Sequence, residues 1–321
     1  MAQGWVGSLR RPRASPDGAA GTMAELAAAV WAAAFPPGGA YDARGWVPRS
    51  TVWARVAFFL VGFLGLWAVL LLALRLLVPG TGPVHGAPRR VWALKGMVLC
   101  HHMAASLWAI AVLARDPVLW RVLTFRGGET EARAMFVAHP LQLEASALLL
   151  PFTVAYMSAD LLLFRCWSKD PEALIYFFHH GLSIFYWAEG LRFDSGVRYA
   201  LYFISNELSG PPMVLRWMLS QAGMKSGLLY AANGTLFTLL FLLVRVLPIP
   251  AVLRSTALYF PLREPWKVQP PSPYLRCLQV SGCLAVFLPL ALNSYWATKV
   301  VKGYAKALQS WRADRKAGKA S

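Results

Sequence analysis

Two pairs of adjacent histidines lie inside strongly apolar segments of the chain. His179 and His180 occur in "LIYFFHHGLSIFYWAEG", and His101 and His102 occur in "GMVLCHHMAASLWAIAVL". An imidazole can act as a general base or as a nucleophile near neutral pH. Ionisable groups in a membrane span are costly and usually face the bundle interior or a watery cavity. The two pairs therefore indicate a polar site inside a membrane protein.

Two acidic residues are the best candidates to work with these histidines. Asp160, in "AYMSADLLLFRC", either pairs with Arg165 or Lys169 or turns inward and orients a histidine. Glu207 follows Asn206 and precedes "LSGPP", where prolines interrupt helical hydrogen bonding. A carboxylate beside a helix break in a buried segment is a candidate for a functional site. His179, His180, Asp160 and Glu207 are the predicted catalytic group.

Helix geometry limits how His179 and His180 can be used together. Neighbouring residues on a helix point about 100° apart, so one of His179 and His180 can face a cavity while the other meets a neighbouring helix. Ser183 is close enough along the helix to serve either ring. A neutral imidazole can also simply bridge two helices.

Arg216 either pairs with Glu207 or binds a phosphate headgroup. The other candidates for lipid or substrate contact are His101, His102, Asn206 and Asn233.

Metal and disulfide chemistry lack a supporting motif. The histidines do not have H-E-x-x-H spacing, and Cys100, Cys166, Cys277 and Cys283 include no C-x-x-C pair. We therefore predict no metal site, no disulfide framework and no resident cofactor.

The segments that must position these residues are predicted to be membrane helices. A spanning helix needs about 20 mostly apolar residues. Six segments qualify, and a seventh at 197–220 is long enough but carries Pro211 and Pro212, which predicts a broken, buried helix. The predicted fold is an all-α polytopic membrane bundle of six to seven transmembrane segments. The six segments are about 55–78, 91–114, 143–165, 173–190, 227–247 and 275–298.

Composition supports this fold and indicates the partners. Hydrophobic residues make up 57% and charged residues 15% of the 321 residues, and the net charge is +17. Soluble domains carry about 25% charged residues. The basic residues are scattered over loops and ends, so anionic lipid headgroups explain them better than nucleic acid does. Membrane lipids are the expected partners, and a homo-oligomer is left open.

Three regions are predicted along the chain. Residues 1–50 are rich in Gly, Pro and Arg and are expected to be disordered or peripheral, with either Met1 or Met23 as the start. Residues 51–300 form the transmembrane domain. Residues 301–321 form a basic tail, which the positive-inside rule places in the cytosol. Two cytosolic ends favour an even number of spans, but the number stays open between six and seven.

The order of these motifs resembles that of the TLC-domain family over about residues 50–300. The resemblance rests on "DLLLF" from Asp160, "FHHGLS" from Phe178, "NELSGP" from Asn206, "LRW" from Leu215 and "NGT" from Asn233. The chain looks most like the TLC domain-containing protein 4 type and is more distantly similar to ceramide synthases. The resemblance implies a helical bundle with a lipid-facing cavity in the endoplasmic reticulum or a related endomembrane.

The resemblance leaves two functions open. In ceramide synthases the positions of His179 and His180 are the catalytic pair, which implies acyl transfer from acyl-CoA as a co-substrate. Synthases then carry a motif with His and paired Asp, whereas this chain has "YFISNELSGPP". That departure favours lipid handling or lipid homeostasis without catalysis, with an acyl-CoA-dependent N- or O-acyltransferase as the alternative.

Overall fold

A computed structural model of the chain describes residues 25, 28–36, 48–78, 87–136, 140–165, 173–192, 196–259 and 273–316. These residues are mainly helical and contain no β-strand. The long helices are α1 (Arg49–Leu77), α2 (Arg89–Leu113), α5 (Pro140–Arg165), α6 (Ala173–Arg192) and α11 (Pro273–Lys316). Short helices α3 (Pro117–Leu123) and α4 (Glu129–Phe136) connect α2 to α5. The prediction of an all-α polytopic membrane protein is confirmed.

Five helical stretches of the described chain are long and apolar enough to cross a membrane. They are Arg49–Leu77, Arg89–Leu113, Ser146–Leu163, Leu228–Tyr259 and Arg276–Gln309. The predicted fourth span forms the 20-residue helix α6 but is not among the five. Its two histidines and Glu189 dilute the apolar character of a helix of barely spanning length.

The predicted broken helix is interrupted where the sequence indicates. Helix α7 (Val197–Ser205) passes into a 3₁₀ turn, Asn206–Ser209, and then into α8 (Gly210–Gln221). Pro211 and Pro212 lie in the first turn of α8, where their missing N–H groups would lack helical partners in any case.

A second irregular turn lies farther along the chain. Helix α9 (Leu228–Phe241) continues into a π-helical turn, Leu242–Val246, and then α10 (Ile249–Tyr259). Pro248 has no N–H to donate to the carbonyl of Val244, four residues earlier. That carbonyl accepts a hydrogen bond from the Tyr202 hydroxyl at 3.4 Å instead.

Helix α2 lies at the centre of the bundle and packs against α1, α5, α7 and α8. Small residues on its inward face, including Ala105, Ser106 and Ala109, are fully buried and allow close approach of neighbouring helices. One apolar cluster lies where α1, α2 and α5 meet, and a second lies among α2, α4, α5, α7 and α10. This packing places both histidines of α2 in the middle of the protein.

The predicted regions at the chain ends are described only in part. Most of residues 1–50 lies outside the described residues, but the helical residues 28–34 pack on α1, where the carbonyl of Ala34 accepts a hydrogen bond from Arg55 at 2.6 Å. Helix α11 continues through residue 300 to Lys316, so the described part of the basic tail extends the last span. Residues 317–321 lie outside the described chain.

Candidate functional site

An apolar cavity lies between α6, α7 and α11. Ligand sites in proteins are mostly apolar with a few convergent polar groups. Most of the wall consists of apolar and aromatic side chains from these helices, including Leu182, Tyr186, Phe203, Val286 and Trp296. Its polar groups include His179, Ser183, Asn206, Glu207, Arg245 and Asn293.

His179 and His180 face different surroundings. His179 lines the cavity, where its ring meets Trp296 edge to face with centroids 6.1 Å apart. Ser183, one helical turn after His179, also lines the cavity. His180 is buried, with Nδ1 3.2 Å from the carbonyl of Tyr176 and Nε2 3.5 Å from Oδ2 of Asp160. The structure therefore brings only one histidine of this pair to the cavity.

Asp160 lies inside the bundle and is 2% exposed. Its Oδ2 atom is also 3.5 Å from the hydroxyl of Tyr156, one turn earlier on α5. The predicted inward carboxylate beside a histidine is observed, and the predicted partners Arg165 and Lys169 have side chains outside the described residues.

His102 and Glu207 form a second polar pair. Nε2 of His102 lies 3.2 Å from Oε2 of Glu207 and 3.3 Å from the Tyr156 hydroxyl. Nη2 of Arg245 lies 3.5 Å from the same Glu207 oxygen. Glu207 thus joins a buried histidine to the charged end of the cavity wall.

Arg245 extends from the π-helical turn and donates hydrogen bonds to the broken helix. At the end of the 3₁₀ turn the N–H of Gly210 donates to the backbone carbonyl of Glu207. The carbonyl of Asn206 therefore lacks the donor that it would have in an α-helix. Nε of Arg245 donates to that carbonyl at 3.1 Å and to Oγ of Ser209 at 2.8 Å. Its Nη1 donates to Oδ1 of Asn293 on α11 at 3.4 Å. Arg245 therefore supplies the donors that irregular backbone needs at membrane depth.

His101 is fully buried against aromatic rings. Its ring stacks on Tyr156 with centroids 3.6 Å apart, and neither ring nitrogen has a hydrogen-bond partner among the described residues. The hydroxyl of Ser106 donates to the backbone carbonyl of His102, and Cys100 is exposed.

Arg216 and Asn233 lie together, away from the Glu207 pair. The guanidinium of Arg216 lies 4.5 Å from the centre of the Tyr230 ring, and Glu207 contacts Arg245 instead of Arg216. Nδ2 of Asn233 donates to the carbonyl of Pro212 at 2.8 Å. These two contacts join α8 to α9.

Glu189, near the end of α6, is a buried acid. This carboxylate is 5% exposed and contacts Arg49 at 3.0 Å, Arg192 at 3.2 Å and the Tyr274 hydroxyl at 2.9 Å. It joins the ends of α1, α6 and α11. Tyr274 lies outside the spanning stretch of α11, and burial raises the pKa of its phenol, as does its hydrogen bond to Glu189.

Two central members of the site did not emerge from the sequence. Neither Arg245 nor Tyr156 belongs to a motif that the sequence analysis singled out. Tyr156 is four residues before Asp160, so both lie on one face of a helix, which was the available signal. Among the described residues, no group of three or more His, Cys, Asp and Glu side chains is arranged to hold a metal ion.

The fold and the cavity define a multi-pass α-helical membrane protein with a polar cluster buried beside an apolar cavity. The TLC domain matches residues 91–302, which is most of the chain, so the protein belongs to the TLC-domain family. This is a family of membrane proteins related to lipids. No curated protein and no solved structure gives a significant match to the chain.

Proposed function

We propose that the protein binds a membrane lipid in this cavity and acts in lipid handling or lipid homeostasis. The observation that carries the proposal is a mostly apolar cavity whose polar groups include Glu207 and Arg245. Acyl chains would fill the apolar part, because removing apolar surface from water is favourable by a free energy of about 25 cal/mol per Å². The headgroup would lie at the polar end.

The charge balance of the polar end indicates the kind of headgroup. Glu207 and Arg245 lie 3.5 Å apart and compensate each other. Asn206, Asn293 and Ser183 add uncharged polar groups to the same wall. We therefore propose a headgroup that hydrogen-bonds through hydroxyl or amide groups and carries no net charge.

Two glycines of α11 allow a matched test. Gly282 lines the cavity, and a Cβ there would meet only Tyr186, at an ordinary 4.0 Å. A Cβ at Gly303 would meet nothing within 4 Å. Gly282→Leu should fill the cavity and reduce copurified lipid, measured by mass spectrometry of protein in nanodiscs, whereas Gly303→Leu should retain it. Equal lipid in both variants would contradict the proposal.

We further propose the endoplasmic reticulum or a related endomembrane as the location. The family resemblance supports it, and the basic end of α11 suits the anionic cytosolic leaflet. Microscopy of the tagged full chain beside organelle markers tests this location. Residence in the plasma membrane alone would contradict it.

A second candidate is acyl transfer, which the position of His179 in the cavity wall favours. The imidazole would attack the thioester carbon of acyl-CoA, the carbon–sulfur bond would break, and CoA would leave as its thiol after protonation. A lipid amine or hydroxyl would then take the acyl group and free the imidazole. His180 would not share this role directly, because it faces Asp160.

Labelled acyl-CoA and a panel of amine and alcohol lipids separate the two candidates. Acylated product that disappears in His179→Ala would establish transfer. Copurified lipid without product in the unmodified protein would leave lipid handling as the function.

A further inference from the structure

The guanidinium of Arg216 lies in a notch between α8 and α9. Its central carbon is 4.5 Å from the centre of the Tyr230 ring, so the cation lies over an aromatic face. Its Nη1 atom also lies so close to the backbone of Gly234 that a Cβ there would clash with it. Gly234 is buried and Arg216 is half-buried. The glycine therefore leaves the space that the guanidinium occupies.

Arg216 forms no hydrogen bond and no ion pair with the residues that the structure describes. In contrast, Arg198 and Arg245 donate to carboxylate, carbonyl or hydroxyl oxygens. A guanidinium carries five N–H donors, and removing donors from water without an acceptor costs free energy. The hydroxyl of Tyr230 likewise has no hydrogen-bond partner in the described part of the chain. The notch thus holds two donor groups that the described protein does not satisfy.

The segments that form the notch carry no acidic residue. No Asp or Glu occurs between Glu207 and Glu264, a stretch that includes α8, α9 and the connection between them. Lys225 in that connection is exposed and adds a second positive charge. The planar fork of a guanidinium matches two oxygens of a phosphate. The chemistry of the notch therefore favours a phosphate group as its ligand.

The notch lies near one end of the bundle. Arg216 is in the last two turns of α8, and Tyr230 is in the first turn of α9, which opens the spanning stretch Leu228–Tyr259. The hydroxyls of Thr235 and Tyr304 are 3.5 Å apart, so the basic part of α11 reaches the same end. The positive-inside rule places this end at the cytosolic leaflet, where anionic lipids are found.

Exposed apolar side chains occur on the same two helices. They include Met213 and Leu215 on α8, and Leu228 and Leu229 on α9. Acyl chains of a lipid would lie against such a surface, because contact with apolar groups removes it from water. A soluble phosphate compound would leave it uncovered. The surroundings of the notch therefore favour a lipid as the source of the phosphate.

We propose that Arg216 and Tyr230 form a binding site for the phosphate group of an anionic phospholipid in the cytosolic leaflet. The guanidinium donates N–H groups to two phosphate oxygens, and the Tyr230 ring holds it in position. The Tyr230 hydroxyl supplies a further donor. Neither residue lines the cavity, so this site is separate from the one proposed above and does not depend on it.

Binding of dioleoyl phosphatidic acid to the purified full-length protein in detergent tests the site, with bound lipid counted by native mass spectrometry. Arg216→Gln should weaken binding by about tenfold or more, because charge-assisted hydrogen bonds are lost. Lys225→Gln removes the same charge from an exposed side chain nearby and should weaken binding by less than about twofold. Equal weakening in both variants would overturn the proposal, since it would show diffuse attraction by the basic surface.

A second pair of variants changes the geometry without changing any charge. Gly234→Ala should displace the guanidinium and weaken binding severalfold, because the new Cβ would clash with the flexible end of Arg216. Gly303→Ala is the matched control, since a Cβ there meets nothing within 4 Å. Unchanged binding of phosphatidic acid to folded Gly234→Ala would contradict the site.

Two further arms identify the source of the phosphate and separate this site from the cavity. Inorganic phosphate at the concentration of the lipid should not displace it, and displacement would overturn the assignment to a phospholipid. Gly282→Leu, which fills the cavity, should still bind phosphatidic acid as tightly as the unmodified protein. Loss of that binding in Gly282→Leu but not in Arg216→Gln would place the phospholipid in the cavity and overturn the proposal.

Discussion

The imidazole of His102 on α2 and the carboxylate of Glu207 in the broken helix meet 3.2 Å apart, although 105 positions separate them in the chain. The contact requires the backbone of Gly210 to lie directly against the other side of the ring. The break in the helix and the position of the histidine therefore depend on each other.

Gly210→Ala should destabilise the protein by about 1–3 kcal/mol, the usual range for overpacking. The new Cβ would lie 1.7 Å from Nδ1 of His102, whose ring is held by Glu207 and Tyr156 on its other side. Thermal unfolding in detergent measures the loss. Gly62→Ala is the control, because a Cβ there meets nothing within 4 Å and alanine favours the helix. Equal melting temperatures for the two variants would contradict this account of Gly210.

Arg245→Met should destabilise the bundle by about 3 kcal/mol, the lower end of the cost of removing one partner of a buried ion pair, because Arg245 and Glu207 are only partly buried. The substitution leaves Glu207 without its cation and the Asn206 carbonyl without its arginine donor. A denaturant titration of the folded protein measures the change. Combining it with Glu207→Gln should recover part of the loss, and a strictly additive double variant would show that the two side chains are not coupled.

Asp116→Ala should cost about 3–5 kcal/mol because it removes the carboxylate that pairs with the buried guanidinium of Arg198. Oδ2 of Asp116 accepts from Nε of Arg198 at 2.8 Å, and Oδ1 caps α3 by accepting from the N–H of Val118 at 3.0 Å. Asp116→Asn should cost less, since an amide oxygen can still cap the helix. Chemical unfolding of both variants tests the order, and a smaller loss for alanine than for asparagine would contradict it.

Glu131 should contribute a pH-dependent part of the stability of α4. The N–H of Gly128 donates to its carboxylate at 2.9 Å, and this bond, helped by Arg121, lowers the pKa of Glu131 below its ordinary value of 4.5. A folded-state pKa below the unfolded value stabilises the fold above pH 4.5, and this stabilisation is lost as pH falls through the folded-state pKa.

Glu131→Gln should therefore be less stable than the unmodified protein near neutral pH, and the difference should shrink below pH 4.5. Melting temperatures across this range measure it. The control is Glu129→Gln, in the same first turn of α4. A difference independent of pH would show that the charge of Glu131 is unimportant.

The sequence by itself determined the class of fold and most of its helices. Long apolar segments can satisfy their backbone in lipid only as helices, so hydropathy alone predicts them. The break between α7 and α8 was also predictable, because proline acts on its own hydrogen bonds. The count of spans was less secure, since the histidines that mark the site also lower the hydropathy of α6.

Only the tertiary structure decided which polar groups meet. Local spacing showed that His179 and His180 point in different directions, but helix packing determines that one lines the cavity and the other meets Asp160. Arg245 pairs with Glu207 because a π-helical turn and a 3₁₀ turn from distant parts of the chain lie against each other. Such contacts depend on the rotation and depth of whole helices, which many residues set together and no single motif records.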